Sequence, residues 1–360
     1  MNPPLILRTG LTLLGAWLAA ELCVWLHTPI PWMLGPLLLT AFASMAGLPT
    51  RSSGRLRNLG QWTIGAALGL YFTPQVGALV LQLWWAIALG IVWALAMGWA
   101  FGLWLQHRHL DDLGHLGVRR LRATSYFAGA IGGASEMTLL SERIGARTDL
   151  VAAAHSLRLV MVVISVPFAM QWAQSHWALQ VDPSLRSVSR AAQWPGLLWL
   201  AGITLLGALL MVRLRRANPW FMGALVATMA LSLSGTWWSA IPTPLSNAAQ
   251  LFIGVSLGVR FRREFLHTAP RWLVSVAMGT ATMLVVSALF GWVMATVVGQ
   301  HPATLILGTS PGGIAEMAIT AKVLQLGVPV VTAFQVCRLV AVLILVAPLY
   351  DWLERKGHLA

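Results

Sequence analysis

The chain has 360 residues, of which 58% are hydrophobic and only 10% charged, with a formal net charge of +13. Soluble domains carry roughly 25% charged residues, so a soluble globular fold is excluded. The basic excess does not mark a nucleic-acid-binding domain either. The 22 arginines and two lysines lie in short clusters between apolar runs, which retention of positive loops in the cytoplasm explains. No recognition helix accompanies them.

The first apolar segment, Leu5–Leu26, is long enough to span a hydrocarbon core of ~20 residues. It resembles a signal peptide, but an equivalent segment, Gln193–Val212, opens the second half of the chain, so it is read as an uncleaved helix. Glu21 lies inside it without a counterpart, and a solvated or arginine-paired position suits it better than a proton carrier's role. A segment over 30–48 follows, opening with IPWMLG at Ile30–Gly35, then the cluster Arg51/Arg55/Arg57 and a segment over 58–72 holding NLGQWTIGAALG at Asn58–Gly69. A long run predicts one helix over 76–106. After the loop of about His107–Leu121, the segment over 123–143 carries GGASEM at Gly132–Met137. The segment over 150–173 then carries His155 and Arg158.

A polar stretch, 174–192, holds Asp182, Pro183, Arg186 and Arg190, and the same series of six segments then recurs over 193–212, 219–236, 245–261, 271–298, 303–324 and 328–352. NPWFMG at Asn218–Gly223 answers the first PW phrase 188 positions on, and NAAQLFIGVSLG at Asn247–Gly258 answers its partner after 189. GGIAEM at Gly312–Met317 answers GGASEM after 180, as Arg338 answers Arg158 and Gln335 answers His155. The chain therefore reads as a first membrane repeat (1–173), a polar connector (174–192) and a second membrane repeat (193–360).

Loop charge orients the repeats. If all six segments of each half crossed, 12 loop Lys/Arg would lie inside and 9 outside. If the GG-x-x-E-M segment instead re-enters on its own side, 19 fall inside and only Arg186 and Arg190 outside, with Lys322, Arg158 and Arg338 inside segments. The positive-inside bias selects the second arrangement. The expected fold is an all-α polytopic membrane protein with two homologous, inverted repeats. Each repeat makes five crossings plus one Gly-broken re-entrant helix, and both termini are cytoplasmic. The double glycine supports the break, because Gly weakens a helix and accepts sharp-turn dihedrals.

The buried polar residues carry the chemistry. A charge at mid-bilayer costs roughly 2.5–3.5 kcal/mol, so Glu136 and Glu316 need partners or water. Arg158 and Arg338, on the next helix of each half, are the expected partners. The pairs then either staple helices structurally or form a site. The second reading follows from Gly132/Gly133 and Gly312/Gly313: broken backbone at membrane depth lines cavities, and half-helix ends offer a positive N-terminus to anions and carbonyls to cations. Asn58/Gln61 and Asn247/Gln250 each share a helix face and suit the same pathway or a helix–helix hydrogen bond equally. Met137 and Met317 read as packing residues. Trp17, Trp25, Trp32, Trp104, Trp194, Trp237 and Trp238 read as interfacial anchors. Cys23 and Cys337 imply no disulfide framework. No His/Cys/carboxylate ligand set for a metal and no phosphate-binding loop appears. No cofactor, no enzyme activity and no direct nucleic-acid binding are therefore expected.

GGASEMTLLSERIGA with the later HSLRLV, and PGGIAEMAITAKVLQLG with QVCRLV, resemble the repeated domain of the bacterial AbrB membrane-protein family, over nearly the whole chain. This is not the small DNA-binding regulator that shares its name. The resemblance implies a bacterial inner-membrane protein linked indirectly to regulation of gene expression. It also brings a label of ammonia monooxygenase, which fits poorly with the missing ligand set, and a plan similar to that of inverted-repeat solute transporters. The expected function is a secondary transporter or exporter of a small solute or ion. The alternative is an indirect regulator of gene expression. The lipid bilayer is the expected partner, and the plan is compatible with a homo-oligomer.

Overall fold

The computed structural model describes residues 5–113, 117–177, 191–216, 218–261 and 269–356. The connector residues Asp182, Pro183, Arg186 and Arg190, together with Arg262 and Arg263, lie outside the described residues. Among the described residues every regular element is a helix. In the first half these are α1 (Leu5–Trp25), α2 (Pro31–Met45), α3 (Gly54–Gly69), α4 (Pro74–Gln82), α5 (Trp84–Arg108), α6 (Leu110–Leu113), α7 (Val118–Gly129), α8 (Ala134–Arg143) and α9 (Thr148–Trp177). The second half contributes α10 (Trp194–Arg213), α11 (Pro219–Leu233), α12 (Thr243–Gly258), α13 (Pro270–Val298), α14 (Pro302–Thr309), α15 (Ile314–Val323) and α16 (Val328–Arg355).

The sequence sets the boundaries of several helices. Proline stands in the first turn of α2, α10, α11, α12, α13 and α14, where its missing N–H costs nothing. Gly299 closes α13 in the left-handed region, at φ 69°, as a C-terminal glycine does.

Among the described residues six helices are long and apolar enough to cross a membrane: Leu7–Trp25, Trp84–Arg108, Thr148–His176, Trp194–Arg213, Pro270–Val298 and Val328–Arg355. The chain is thus a multi-pass helical membrane protein. Of the ten expected crossings, the remaining segments differ in detail. The predicted helix over 76–106 is divided at Leu83. Its first part, α4, forms with α3 a pair bent by 88° that would make a seventh span. α2 and α11 have 15 residues each, about 22 Å at 1.5 Å per residue, shorter than the ~30 Å hydrocarbon core.

The chain divides into two compact units, and each draws on both sequence repeats. Unit one is Met1–Gln82, Pro167–Arg263 and Ala318–Pro329; unit two is Leu83–Val166, Glu264–Met317 and Val330–Ala360. Within unit one the helices pack in the order α1, α2, α12, α3, α11, α10. That order reads the same when the repeats are exchanged. Glycines make the approach possible at matched places. A methyl on Gly254 would come within 2.5 Å of the Met33 carbonyl, and one on Gly65 would strike the equivalent Phe221 carbonyl. Gly258 against Leu37 repeats as Gly69 against Leu225, and Gly35 against Ala19 as Gly223 against Gly207. This reciprocity is that of an isologous contact around an approximate two-fold axis. The outermost helices, α1 and α10, expose Leu11, Leu18, Leu22, Leu198, Leu206 and Leu210, a surface suited to lipid.

Unit two shows the same exchange symmetry in the order α7, α5, α13, α14. Gly102 of α5 lies 3.0 Å, by its missing Cβ, from Tyr126 Cα, and Gly291 of α13 lies 2.7 Å from the equivalent Ile306 Cα. The Trp93 and Phe290 rings stack at 4.2 Å between α5 and α13.

Candidate functional site

Both glycine phrases break their helices. α7 ends at Gly129 and α8 starts at Ala134, while α14 ends at Thr309 and α15 starts at Ile314. Each break is four residues long. Ala130 (ψ 136°) and Ser310 (ψ 143°) turn the chain into extended backbone directly after the first half-helix. The reason for the double glycine differs from the expected one. Gly133 has φ −69°, and none of Gly132, Gly133, Gly312 and Gly313 is among the positive-φ residues, so no special dihedral is needed. Space is what they supply. A methyl on Gly132 would come within 2.7 Å of Met137 Cε, and one on Gly312 within 2.8 Å of Met317 Cγ.

Gly133 and Gly313 accept the first helical hydrogen bonds of α8 and α15, from Met137 N (2.9 Å) and Met317 N (3.1 Å). They are therefore N-caps, and Glu136 and Glu316 sit at the third helical position. Both carboxylates fold back over their cap glycine, with Cδ 3.0 Å from the methyl position of Gly133 and 2.9 Å from that of Gly313. The third helical position is the one a capping-box glutamate occupies. Each carboxylate sets a negative charge on the positive end of the second half-helix. Glu316 is buried, while Glu136 is half-buried.

The arginines serve the opposite side of each break. Arg338 donates from Nη1 to Ser310 O (2.6 Å) and from Nη2 to Gly312 O and Gln335 Oε1 (both 2.6 Å). Arg158 donates from Nη2 to Ala130 O (2.9 Å) and from Nη1 to Gly129 O (3.3 Å) and Ala128 O (3.5 Å). Arg158 is 4% exposed and Arg338 6%, so these are guanidinium charges held away from water. Carbonyls with no intrahelical partner crowd the end of a half-helix and carry partial negative charge, and this offsets the burial.

The expected Glu136–Arg158 pairing is therefore corrected. Among the described residues no ion pair joins them. The carboxylate goes to the N–H end of the break and the guanidinium to the C=O end. Each break neutralises both of its own dipole ends.

The two breaks come together in unit two. Arg158 grips the first break, and Val162, one turn further along α9, touches the second: Val162 Cγ1 is 2.9 Å from the methyl position of Gly312. Beside the first break an apolar cleft is lined by Ala94, Gly98, Trp99, Tyr126, Ile131 and Val346; none of the sequence-predicted site residues lines it.

The matched amides belong to unit one and the charged residues to unit two. Asn58, with its amide turned so that Oδ1 accepts from Trp220 Nε1 (3.0 Å) and Nδ2 donates to Gly54 O (3.3 Å), ties α3 to α11. Gln61 and Asn247 are half-buried, and Gln250 is buried on α12. Among the described residues no three His, Cys, Asp or Glu side chains gather as a metal site would require. The residues that sequence reasoning passed over are His155 and Gln335. His155 Nε2 lies 2.9 Å from Phe127 O and its Nδ1 2.7 Å from Arg158 Nη2. Their alignment in the repeat was the available signal.

The family model described as "Transition state regulatory protein AbrB" matches residues 32–354. The chain belongs to the AbrB family. It is 23% identical over 348 residues to "Uncharacterized protein YhjN" of Bacillus subtilis (strain 168), covering 90% of this chain and 88% of that one. It is 22% identical over 323 residues to "Putative regulator AbrB" of Escherichia coli (strain K12), covering 88% of each. Both relatives align along most of the chain, so both repeats take part in the similarity.

Proposed function

We propose that this AbrB-family protein is a secondary transporter or exporter of a small solute or ion in the bacterial inner membrane, with both termini cytoplasmic and the repeats inverted. The observation that carries the reading is the pairing of two self-neutralised helix breaks in one unit. Irregular backbone inside a bilayer is tolerated where it is buried in protein or lines a water-filled cavity, and paired broken helices at a repeat interface are where secondary transporters bind their cargo. Glu136, Arg158, Glu316 and Arg338 form the pathway, with Gly132, Gly133, Gly312 and Gly313 making room for it. Asn58, Gln61, Asn247 and Gln250 are secondary candidates from the other unit. The reading assigns no catalytic residue and no cofactor.

The test is a thermal-stabilisation screen of purified protein against carboxylates, amino acids, ammonium and alkali cations, since a ligand bound only by the native state raises its melting temperature. A stabilising solute whose effect disappears in Glu136→Gln and Arg338→Gln supports the site. Stabilisation that survives in both variants places the site elsewhere.

A second reading, indirect regulation of gene expression, draws on the printed name of the E. coli relative. It predicts a reporter effect that survives loss of Glu136 and Glu316 but not replacement of segment 107–122.

A further inference from the structure

His155 and Gln335 each precede the buried arginine of their repeat by three residues, which places both members on one helix face. Gln335 is 0% exposed and His155 3%. Gln335 donates from Nε2 to Leu307 O (2.7 Å), Ser310 O (3.1 Å) and Gly308 O (3.2 Å), and its Oε1 accepts from Arg338 Nη2 (2.6 Å). His155 stands in the same relation to the first break, between Phe127 O, equivalent to Leu307 O, and Arg158 Nη2. A guanidinium can only donate and a carbonyl can only accept. The ring must therefore present a lone pair at Nδ1 and a proton at Nε2. That tautomer offers the same donor and acceptor as a glutamine amide. An imidazolium would instead aim a second donor at the guanidinium, 2.7 Å away.

We infer that His155 and Gln335 are one positioning device in two copies: a neutral donor–acceptor side chain that fixes the guanidinium of Arg158 or Arg338 across the carbonyl end of the broken helix. His155 therefore acts as a glutamine equivalent and not as a proton carrier, although it is the one histidine well inside an apolar segment. From α9 itself the charged group facing it is Arg158, from α7 it faces the Phe127 carbonyl, and from the first break the Gly132 backbone. The inference depends on the proposed site only for the claim that the two arginines belong to it.

The test needs no solute. In protein labelled with ¹⁵N-histidine at pH 7.5, subtraction of the His155→Gln spectrum isolates one of nine histidines. The expected signature is a bare Nδ1 and a protonated Nε2. An Nδ1–H tautomer or an imidazolium overturns the inference. In parallel, His155→Gln and Gln335→His should keep the wild-type melting temperature within about 2 °C, while His155→Leu and Gln335→Leu should lower it by about 4–8 °C, the scale of losing hydrogen bonds to a charged group. A His155→Gln variant as impaired as His155→Leu would overturn it equally. Neither arm reads transport, so failure here leaves the transporter reading to its own test, and the reverse holds.

Discussion

The Glu316 carboxylate lies over the α-carbon of Gly313, filling the space where any other residue would carry its Cβ. Glu136 and Gly133 repeat the relationship in the first half. Gly313→Ala and Gly133→Ala must each displace a carboxylate from its helix cap, so each should destabilise the protein by about 1–3 kcal/mol, the usual cost of overpacking. The check is thermal unfolding combined with a double-mutant cycle: Gly313→Ala should cost far less in a Glu316→Ala background. Equal costs in both backgrounds would show that the carboxylate is not what the glycine accommodates.

Arg338 holds three acceptors on two nitrogens, two of them the carbonyls of Ser310 and Gly312, on either side of Pro311. A lysine keeps the charge but is a point donor without the planar fork. Arg338→Lys should therefore lose about 1.5–3 kcal/mol of stability, the worth of a hydrogen bond to a charged group. Arg338→Leu should lose more, because the freed carbonyls stay buried. A melting temperature unchanged by Arg338→Lys would contradict the fork.

The glycines of unit one differ in what surrounds them. Gly254→Ala would press a methyl to within 2.5 Å of the Met33 carbonyl, whereas Gly202 of α10 has nothing within 4 Å. Gly254→Ala should sharply lower folded yield and melting temperature. Gly202→Ala should be neutral or stabilise by about 0.5–1 kcal/mol through helix propensity. Equal behaviour of the two variants would argue against the α2–α12 contact.

His109, between α5 and α6, predicts a pH effect. Its Nε2 is 3.0 Å from Ser275 Oγ and its Nδ1 3.7 Å from Asp112. Burial holds its pKa below the ordinary 6.5; Asp112 pulls the other way and Arg108 adds to the lowering. The folded state thus binds the proton less readily than the unfolded chain. Its contribution is intact above pH 6.5 and declines as the pH falls below it. Melting temperatures between pH 8 and pH 5 should drop less steeply on the acid side for His109→Gln than for the wild type.

Much of this was legible in the residues. The duplicated GG-x-x-E-M phrase located both breaks, because a glycine pair before an acid in an apolar run has few other meanings. What was not legible was the partner of each charge. Spacing places Arg158 on the helix after Glu136, but only the folded break shows that its N–H end and its C=O end face different side chains. From sequence the glycines read as dihedral devices, since sequence cannot reveal that Met137 and Glu136 turn back onto them. Likewise the palindromic packing of α1, α2, α12, α3, α11 and α10 depends on contacts between repeats, and no periodicity within one segment reports such contacts.

The most direct test of the central claim is flux of a stabilising solute into proteoliposomes by the Glu136→Gln/Glu316→Gln double variant. Glutamine has the shape of glutamate and is accepted at the third position of a helix, so it removes the charge without emptying the space over the cap glycine. The account predicts a folded double variant, its melting temperature lowered by loss of the two charges at the half-helix N-termini, with flux abolished. Undiminished flux in a well-folded double variant would contradict it.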